Sequence, residues 1–230
     1  MKAPGCTLLV DADDTLWENN IYFERAFERF CELLGHPSMT PEEVREVLDG
    51  IERANNRVHG YGAENFGRNL RQCLERLATR PVGTGDFEAV NRLTGRILDH
   101  PIELIDGVPE TLEHLSERHE LILFTKGEAG EQRRKVERSG LSGYFTHVEV
   151  VKEKDQHTYE RFVDARALDV EATWMIGNSP RSDINPALAA GLQAVFVPHA
   201  RTWRLEHEEI ADGNGRLVRV ESFRELKGLF

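Results

Sequence analysis

Apolar residues in this chain come in short runs, and between the runs they recur at helical spacing. Residues 8–10, 120–124, 147–151, 173–177 and 193–197 are the runs. They are too short for helices and three of them carry little polar alternation, the pattern of strands covered on both faces. A helix is predicted after most of them: about 128–139 closed by Gly140, about 156–168 with Tyr159, Phe162 and Ala165 on one side, and about 183–190 stopped by Gly191. A turn at 212–215, a last strand at 216–220 and a short final helix complete the pattern. Strands that alternate with helices build a parallel sheet wound on both faces.

Residues of about 17 to 99 break this rhythm. Tyr22, Ala26, Phe27, Phe30, Leu33 and Leu34 keep a helical period up to Gly35. Thr40, Pro41 and Glu43 form a capping box with proline at the first helical position, and Val44, Val47, Leu48 and Ile51 continue the stripe. Phe66, Leu70, Cys73 or Leu74, and Leu77 mark a third helix, and Phe87, Val90, Leu93 and Ile97 a fourth, after a break at 80–85. The expected organisation is an α/β, Rossmann-like, doubly wound core from residues 1–16 and 100–230, with an all-helical insertion at 17–99.

At 230 residues the chain can bury a real core. A net charge of −11 argues against a nucleic-acid partner, because phosphate contacts need a basic face. No apolar run approaches the ~20 residues of a membrane span, and the start has one Lys and an apolar run too short for a signal peptide. Cys6, Cys31 and Cys73 are odd in number, far apart and without a CxxC pair, as expected of reduced thiols in a cytoplasmic protein.

Chemistry concentrates where the strands end. The first run stops at Asp11, Asp13 and Asp14, on the sheet edge where open α/β folds bind ligands. Carboxylates this close repel, and a cation between them or a proton on one would relieve the repulsion; alternatively they only cap a turn. Thr125 follows the second predicted strand, Lys152 and Lys154 the third, and Asn178 with Asp183 the fourth. Each has a plain explanation as a cap, a turn or a surface charge. In a parallel sheet, however, these ends share one edge. Together they offer carboxylates for a divalent cation, a hydroxyl and an ammonium, a set suited to a phosphoryl group.

The order Asp-x-Asp-x-Thr at 11–15, Thr125, a Lys, then Gly177-Asn178 and Asp183 resembles the haloacid dehalogenase-like hydrolase superfamily over nearly the whole chain. Residues 153–159 and 177–183 also resemble its capped phosphatase branch. The resemblance implies Asp11 as the nucleophile that forms an aspartyl-phosphate, and Asp13 as acid and then base, its backbone carbonyl on the metal. It implies Thr125 as a phosphoryl-oxygen donor, Lys154 as the neutralising cation ahead of Lys152, and Asp11, Asp183 and Asn178 beside the Asp13 carbonyl at Mg²⁺. The 17–99 insertion would be a cap closing over the site. The implied function is Mg²⁺-dependent hydrolysis of a small phosphorylated metabolite. The rivals are a 2-haloacid dehalogenase, for which Asp13 would be superfluous, a sugar phosphomutase, and a phosphometabolite-binding protein weakened by Asn178.

Two positions depart from the family pattern. Asn178 stands where an Asp is usual, and Lys126 stands where an Asn often follows the hydroxyl residue. Lys126 either attracts an anionic substrate or faces solvent, with solvent favoured. Asp14 and Thr15 read as structural residues at the strand exit. Trp174 is expected in the core, and His199 and Trp203 in loop packing or at the rim of the site. Tyr22, Arg57, His59, Tyr61 and Arg68 are expected as helix surface or packing, with substrate reading as the alternative. The oligomeric state is open.

Overall fold

The computed structural model describes residues 5–230. The reading of the first residues as too short for a signal peptide falls largely on residues 1–4, outside those described. By compactness the chain divides into two units, residues 1–18 with 102–230, and residues 19–101.

The first unit is a six-stranded parallel sheet, β1 (Thr7–Val10), β2 (Glu120–Lys126), β3 (His147–Val151), β4 (Thr173–Gly177), β5 (Gln193–Phe196) and β6 (Leu217–Arg219), in the order β3-β2-β1-β4-β5-β6. The order reverses beside β1, so the edge beyond Val10 is the topological switch point where such sheets bind ligands. Successive side chains in the central strands point to opposite faces. Leu8, Val10, Leu121 and Leu123 join one apolar cluster, with Val108, Leu112 and Val136. Leu9, Ile122, Phe124 and Met175 join another, with Tyr159, Phe162 and Ala187. Burial on both faces is why β1 carries no polar residue after Thr7. Each wholly buried side chain of this size contributes roughly 1.5–3 kcal/mol of transfer free energy.

Five helices serve this sheet: α5 (Val108–Ser116), α6 (Ala129–Ser139), α7 (Gln156–Arg166), α8 (Asn185–Ala189) and α9 (Leu226–Leu229). Two details differ from the sequence expectation. Strand β2 runs on through Thr125 to Lys126, so its last two residues are still laddered to Val150 and Val151 of β3. The helix expected at 183–190 begins earlier, as a π turn over Pro180–Ile184, and α8 follows it. Trp174 is only half-buried, packed edge-on against Phe230. The cysteines are unpaired. Among the described residues, no helix is long and apolar enough to cross a membrane.

The second unit packs four helices, α1 (Asn20–Leu34), α2 (Pro41–His59), α3 (Ala63–Leu77) and α4 (Thr84–Asp99), around Phe27, Phe30, Leu48, Phe66 and Leu70. The capping box is present: Thr40 accepts from the Glu43 N–H and the Glu43 carboxylate accepts from the Thr40 N–H. Gly35 ends α1 with φ 52°, a left-handed conformation that a side chain would strain. Gly67 lets α3 and α4 approach, because a Cβ there would lie 2.9 Å from the Thr94 hydroxyl. One face of α2 buries Arg45, Asp49 and Glu52, with the Arg45 guanidinium 3.5 Å above the Phe27 ring and paired to Glu24. Tyr22 is a packing residue, stacked on His100. Arg57 and His59 are exposed, Tyr61 is half-buried, and Arg68 pairs with Glu64.

Candidate active site

The strand-end residues expected from the sequence meet on the edge beyond β1. Parallel register sets Val10 beside Leu123 of β2 and Ile176 of β4. Asp11 continues the ladder, its N–H donating to the Ile176 carbonyl. Thr125 and Asn178 therefore lie two residues beyond the Val10 level on the flanking strands, alongside the 11–13 exit.

Asp11 is buried, only 7% exposed. Lys154, 3% exposed, donates to Asp11 Oδ1 at 2.5 Å and to Asp183 Oδ1 at 2.7 Å. Lys152 is exposed. The two lysines are two residues apart, but only Lys154 lies at the start of the segment that enters α7, and its ammonium is turned inward. Burial pulls the Lys154 pKa down, but the Asp11 and Asp183 carboxylates outweigh that and hold the ammonium charged. Burial, and then the charge of Asp183, push the Asp11 carboxyl well above the usual carboxylate range, against the pull of Lys154.

Thr15 links the first loop to the fourth strand end. Its hydroxyl lies 2.9 Å from Asp11 Oδ2 and 3.1 Å from Asn178 Oδ1, with one proton to give. The sequence reading of Thr15 as a strand-exit cap missed this bridge. The other side of the Asn178 amide donates to Thr202 Oγ1 at 2.8 Å, and Thr202 donates to the His199 carbonyl. Asp14 has φ 60°, and its carboxylate lies 3.9 Å from His199 Nδ1. His199 also faces Glu18.

Asp13 turns to different partners. Its carboxylate accepts from Lys135 Nζ at 2.9 and 3.0 Å, Gln132 Nε2 at 2.8 Å and Trp17 Nε1 at 2.7 Å. Each of the two carboxylates at 11 and 13 thus has its own lysine, the charge compensation that their spacing demands. Lys135 is held charged by Asp13 and Glu131 although burial opposes it. Lys135 and Gln132 were not legible as site residues. Both lie in α6, a helix of mostly charged residues in which they look like surface positions.

Lys126 does not face solvent. Its side chain is 12% exposed, and its ammonium lies 2.7 Å from Glu206 Oε1 and 2.8 Å from Ser182 Oγ. Thr125 is buried at the end of β2.

The donor set suits a small divalent cation. Asp11, Asp183, the Asn178 amide oxygen and the Asp13 carbonyl are all hard oxygens, the preference of Mg²⁺. Asp11 Oδ2 and Asn178 Oδ1 already lie close to the same hydroxyl. The Asp183 carboxylate lies directly over Gly177, where an added Cβ would come within 2.3 Å of Oδ2. Glycine at 177 is therefore what lets that carboxylate approach the strand end.

Comparison with known proteins follows the same residues. The family described as haloacid dehalogenase-like hydrolase matches residues 8–197. A crystal structure of a haloacid dehalogenase-like family hydrolase from Xanthomonas campestris superimposes with a TM-score of 0.83 at 30% identity, covering 100% of this chain and 95% of that one. The HAD-hydrolase YfnB of Bacillus subtilis (strain 168) is 28% identical over 202 residues, 83% of either chain. Its magnesium-bound crystal structure shares the fold with a TM-score of 0.69, at 18% identity over 99% of each chain. The aspartate carbamoyltransferase catalytic subunit of Koribacter versatilis (strain Ellin345) is 30% identical over 90 residues only, 35% of this chain and 30% of that relative's length. The family match runs from β1 to the end of β5 and takes in every strand-end residue described above, so the chain belongs to the haloacid dehalogenase-like hydrolase family.

Proposed function

We propose that this hydrolase is a Mg²⁺-dependent phosphatase acting on a small phosphorylated metabolite through Asp11. The observation that carries the reading is the pairing of two carboxylates, two residues apart, with two separate lysines, the buried Lys154 for Asp11 and the half-buried Lys135 for Asp13. A 2-haloacid dehalogenase needs a carboxylate nucleophile but no acid at position 13. Here Asp13 is held by three donor groups, as expected of a carboxylate with its own task. Proteins that share the fold at under 25% identity include a 2-haloacid dehalogenase from Pseudomonas syringae and a predicted phosphoglycolate phosphatase from Haemophilus somnus, so the fold alone does not select the bond broken.

Asp11 Oδ would attack phosphorus while the bond to the leaving oxygen breaks. Asp13, present here as a carboxylate, would have to take up a proton before giving it to that oxygen, and would then take one from the water that releases phosphate and restores Asp11. Asp13 must exchange one of its present contacts for the leaving group. Thr125 would donate to a phosphoryl oxygen, and Lys154 would neutralise charge on Asp11 and on the phosphoryl group. Asp11, Asn178, Asp183 and the Asp13 carbonyl would hold Mg²⁺, which supplies the positive charge that lets an anionic nucleophile approach an anionic ester. The helical unit would serve as the cap that selects the leaving group.

The test is turnover of an aryl phosphate with Mg²⁺ and with chelator, beside halide release from a 2-chloroalkanoate. Metal-dependent phosphate release without halide release supports the reading. Halide release without phosphate release overturns it.

A further inference from the structure

We propose that Glu206 is a positioning residue for the metal-binding loop, acting through Lys126, Ser179 and Ser182 without touching the metal or the substrate. The inference rests on the reading of Asn178 and Asp183 as metal ligands. The segment between them leaves β4 as a π turn, in which the Ile184 N–H reaches back to the Ser179 carbonyl. Widened turns of this kind are rare and occur mostly as single turns, frequently at functional sites, and this one has contacts from outside besides its own backbone bonds.

Those contacts come from three directions. Glu206, in the short 3₁₀ turn Arg204–Glu206, accepts from the Ser179 hydroxyl through Oε2 and from Lys126 Nζ through Oε1. Lys126, at the end of β2, also donates to the Ser182 hydroxyl at 2.8 Å. Tyr159 of α7 donates to the Ser182 carbonyl at 3.0 Å. Within the turn the Ser182 N–H donates to the Ser179 hydroxyl at 2.9 Å. The Ser179 N–H in turn donates to Asp183 Oδ2 at 2.9 Å. The chain of contacts therefore runs from Glu206 to Ser179 to the Asp183 carboxylate, whose other oxygen holds Lys154.

Glu206 is 7% exposed, and burial opposes its charge. Lys126 and the two serines outweigh that and hold its pKa down, at about 2. A buried carboxylate that stays ionised, bonding Ser179 directly and reaching Ser182 through Lys126, fixes that turn. The contact also gives Lys126 a task other than substrate attraction: its ammonium is committed to Glu206 and Ser182. Groups in the outer shell of a metal site commonly change metal affinity by about 10–100-fold when removed.

The experiment measures Mn²⁺ binding by electron paramagnetic resonance of the free ion, with no substrate present, on wild type, Glu206→Gln, Lys126→Met/Glu206→Met and Lys152→Ala. The double variant removes both charges of the Lys126–Glu206 pair while keeping volume, so it retains a foldable site if the single variant does not. Folding is checked by circular dichroism. Expected is a Mn²⁺ affinity weakened about 10-fold or more in the Glu206 variants and unchanged in Lys152→Ala. In turnover, the Mg²⁺ concentration for half-activity should rise by a similar factor, while kcat at saturating Mg²⁺ stays within about threefold of wild type. A merely structural role would lower kcat and leave Mn²⁺ affinity alone. Wild-type Mn²⁺ affinity in both folded variants overturns the proposal, as does a wild type that binds no Mn²⁺. A wild type that binds Mn²⁺ but releases no phosphate from esters overturns the phosphatase reading instead and leaves the Mn²⁺ comparison intact.

Discussion

Lys154 reaches Asp11 from the loop after β3, which β2 separates from β1, and its Nζ lies 2.5 Å from Asp11 Oδ1 with both side chains buried. This contact separates two lysines that sequence spacing alone left open. It makes Lys154→Ala the sharper substitution. Loss of a preorganised cation at a transferring phosphoryl group should cost about 2–4 kcal/mol in the barrier. Lys152 is exposed, and Lys152→Ala should change the barrier by less than about 0.5 kcal/mol. Steady-state kinetics on an aryl phosphate checks the ranking, and the reverse order would move the role to Lys152.

Asn178 makes two contacts that an aspartate could not both keep. Its oxygen faces the Thr15 hydroxyl and its amide donates to Thr202 Oγ1. Asn178→Asp should tighten Mg²⁺ binding by adding a full charge to the oxygen set. It forfeits the amide donation to Thr202, and its extra charge repels the phosphoryl group, so kcat should not rise. Metal titration of both proteins by calorimetry tests this. Equal affinities would place Asn178 outside the metal's ligands.

The helical unit carries a separate pH response. Burial pushes the Glu52 carboxyl up to about 8, opposed by Arg45 and reinforced by Asp49 and Glu24. Unfolding returns it to near 4.5. The folded state therefore binds an extra proton between these values. The stability tied to Glu52 is complete below the lower one and is lost as pH rises through the upper one. Over that window the loss is on the order of a few kcal/mol. Glu52→Gln should flatten the fall of Tm across this range, leaving the variant the more stable protein at about pH 9. Parallel Tm curves for the two proteins would show that Glu52 does not titrate in this window.

Much of the fold was legible because the physics behind it is local. Two-faced burial gives uninterrupted apolar strands, and 8–10 and 120–124 show that pattern plainly. Gly35, Gly140 and the Thr40–Glu43 box mark helix ends by their own backbone chemistry. The site was legible as far as its residues sit on strand ends, since parallel register brings Asp11, Thr125 and Asn178 to one edge. The partners of those residues were not. Lys135 and Gln132 come from the middle of a charged helix, and Glu206 from an irregular loop, where side-chain direction depends on packing that no spacing encodes. Lys126 was misread for the same reason: a lysine after a strand looks solvated until a buried carboxylate arrives from 80 residues away.

The most direct test of the account is the covalent one. Wild-type protein is mixed with an aryl phosphate and Mg²⁺, quenched in acid within a turnover, digested and analysed by mass spectrometry, with Asp11→Asn in parallel. The account predicts one phosphoryl group on the peptide that contains Asp11, on Asp11 itself, and neither label nor turnover in a folded Asp11→Asn protein. Full turnover by that folded variant, or a phosphoryl group found on another residue in the wild type, would contradict it.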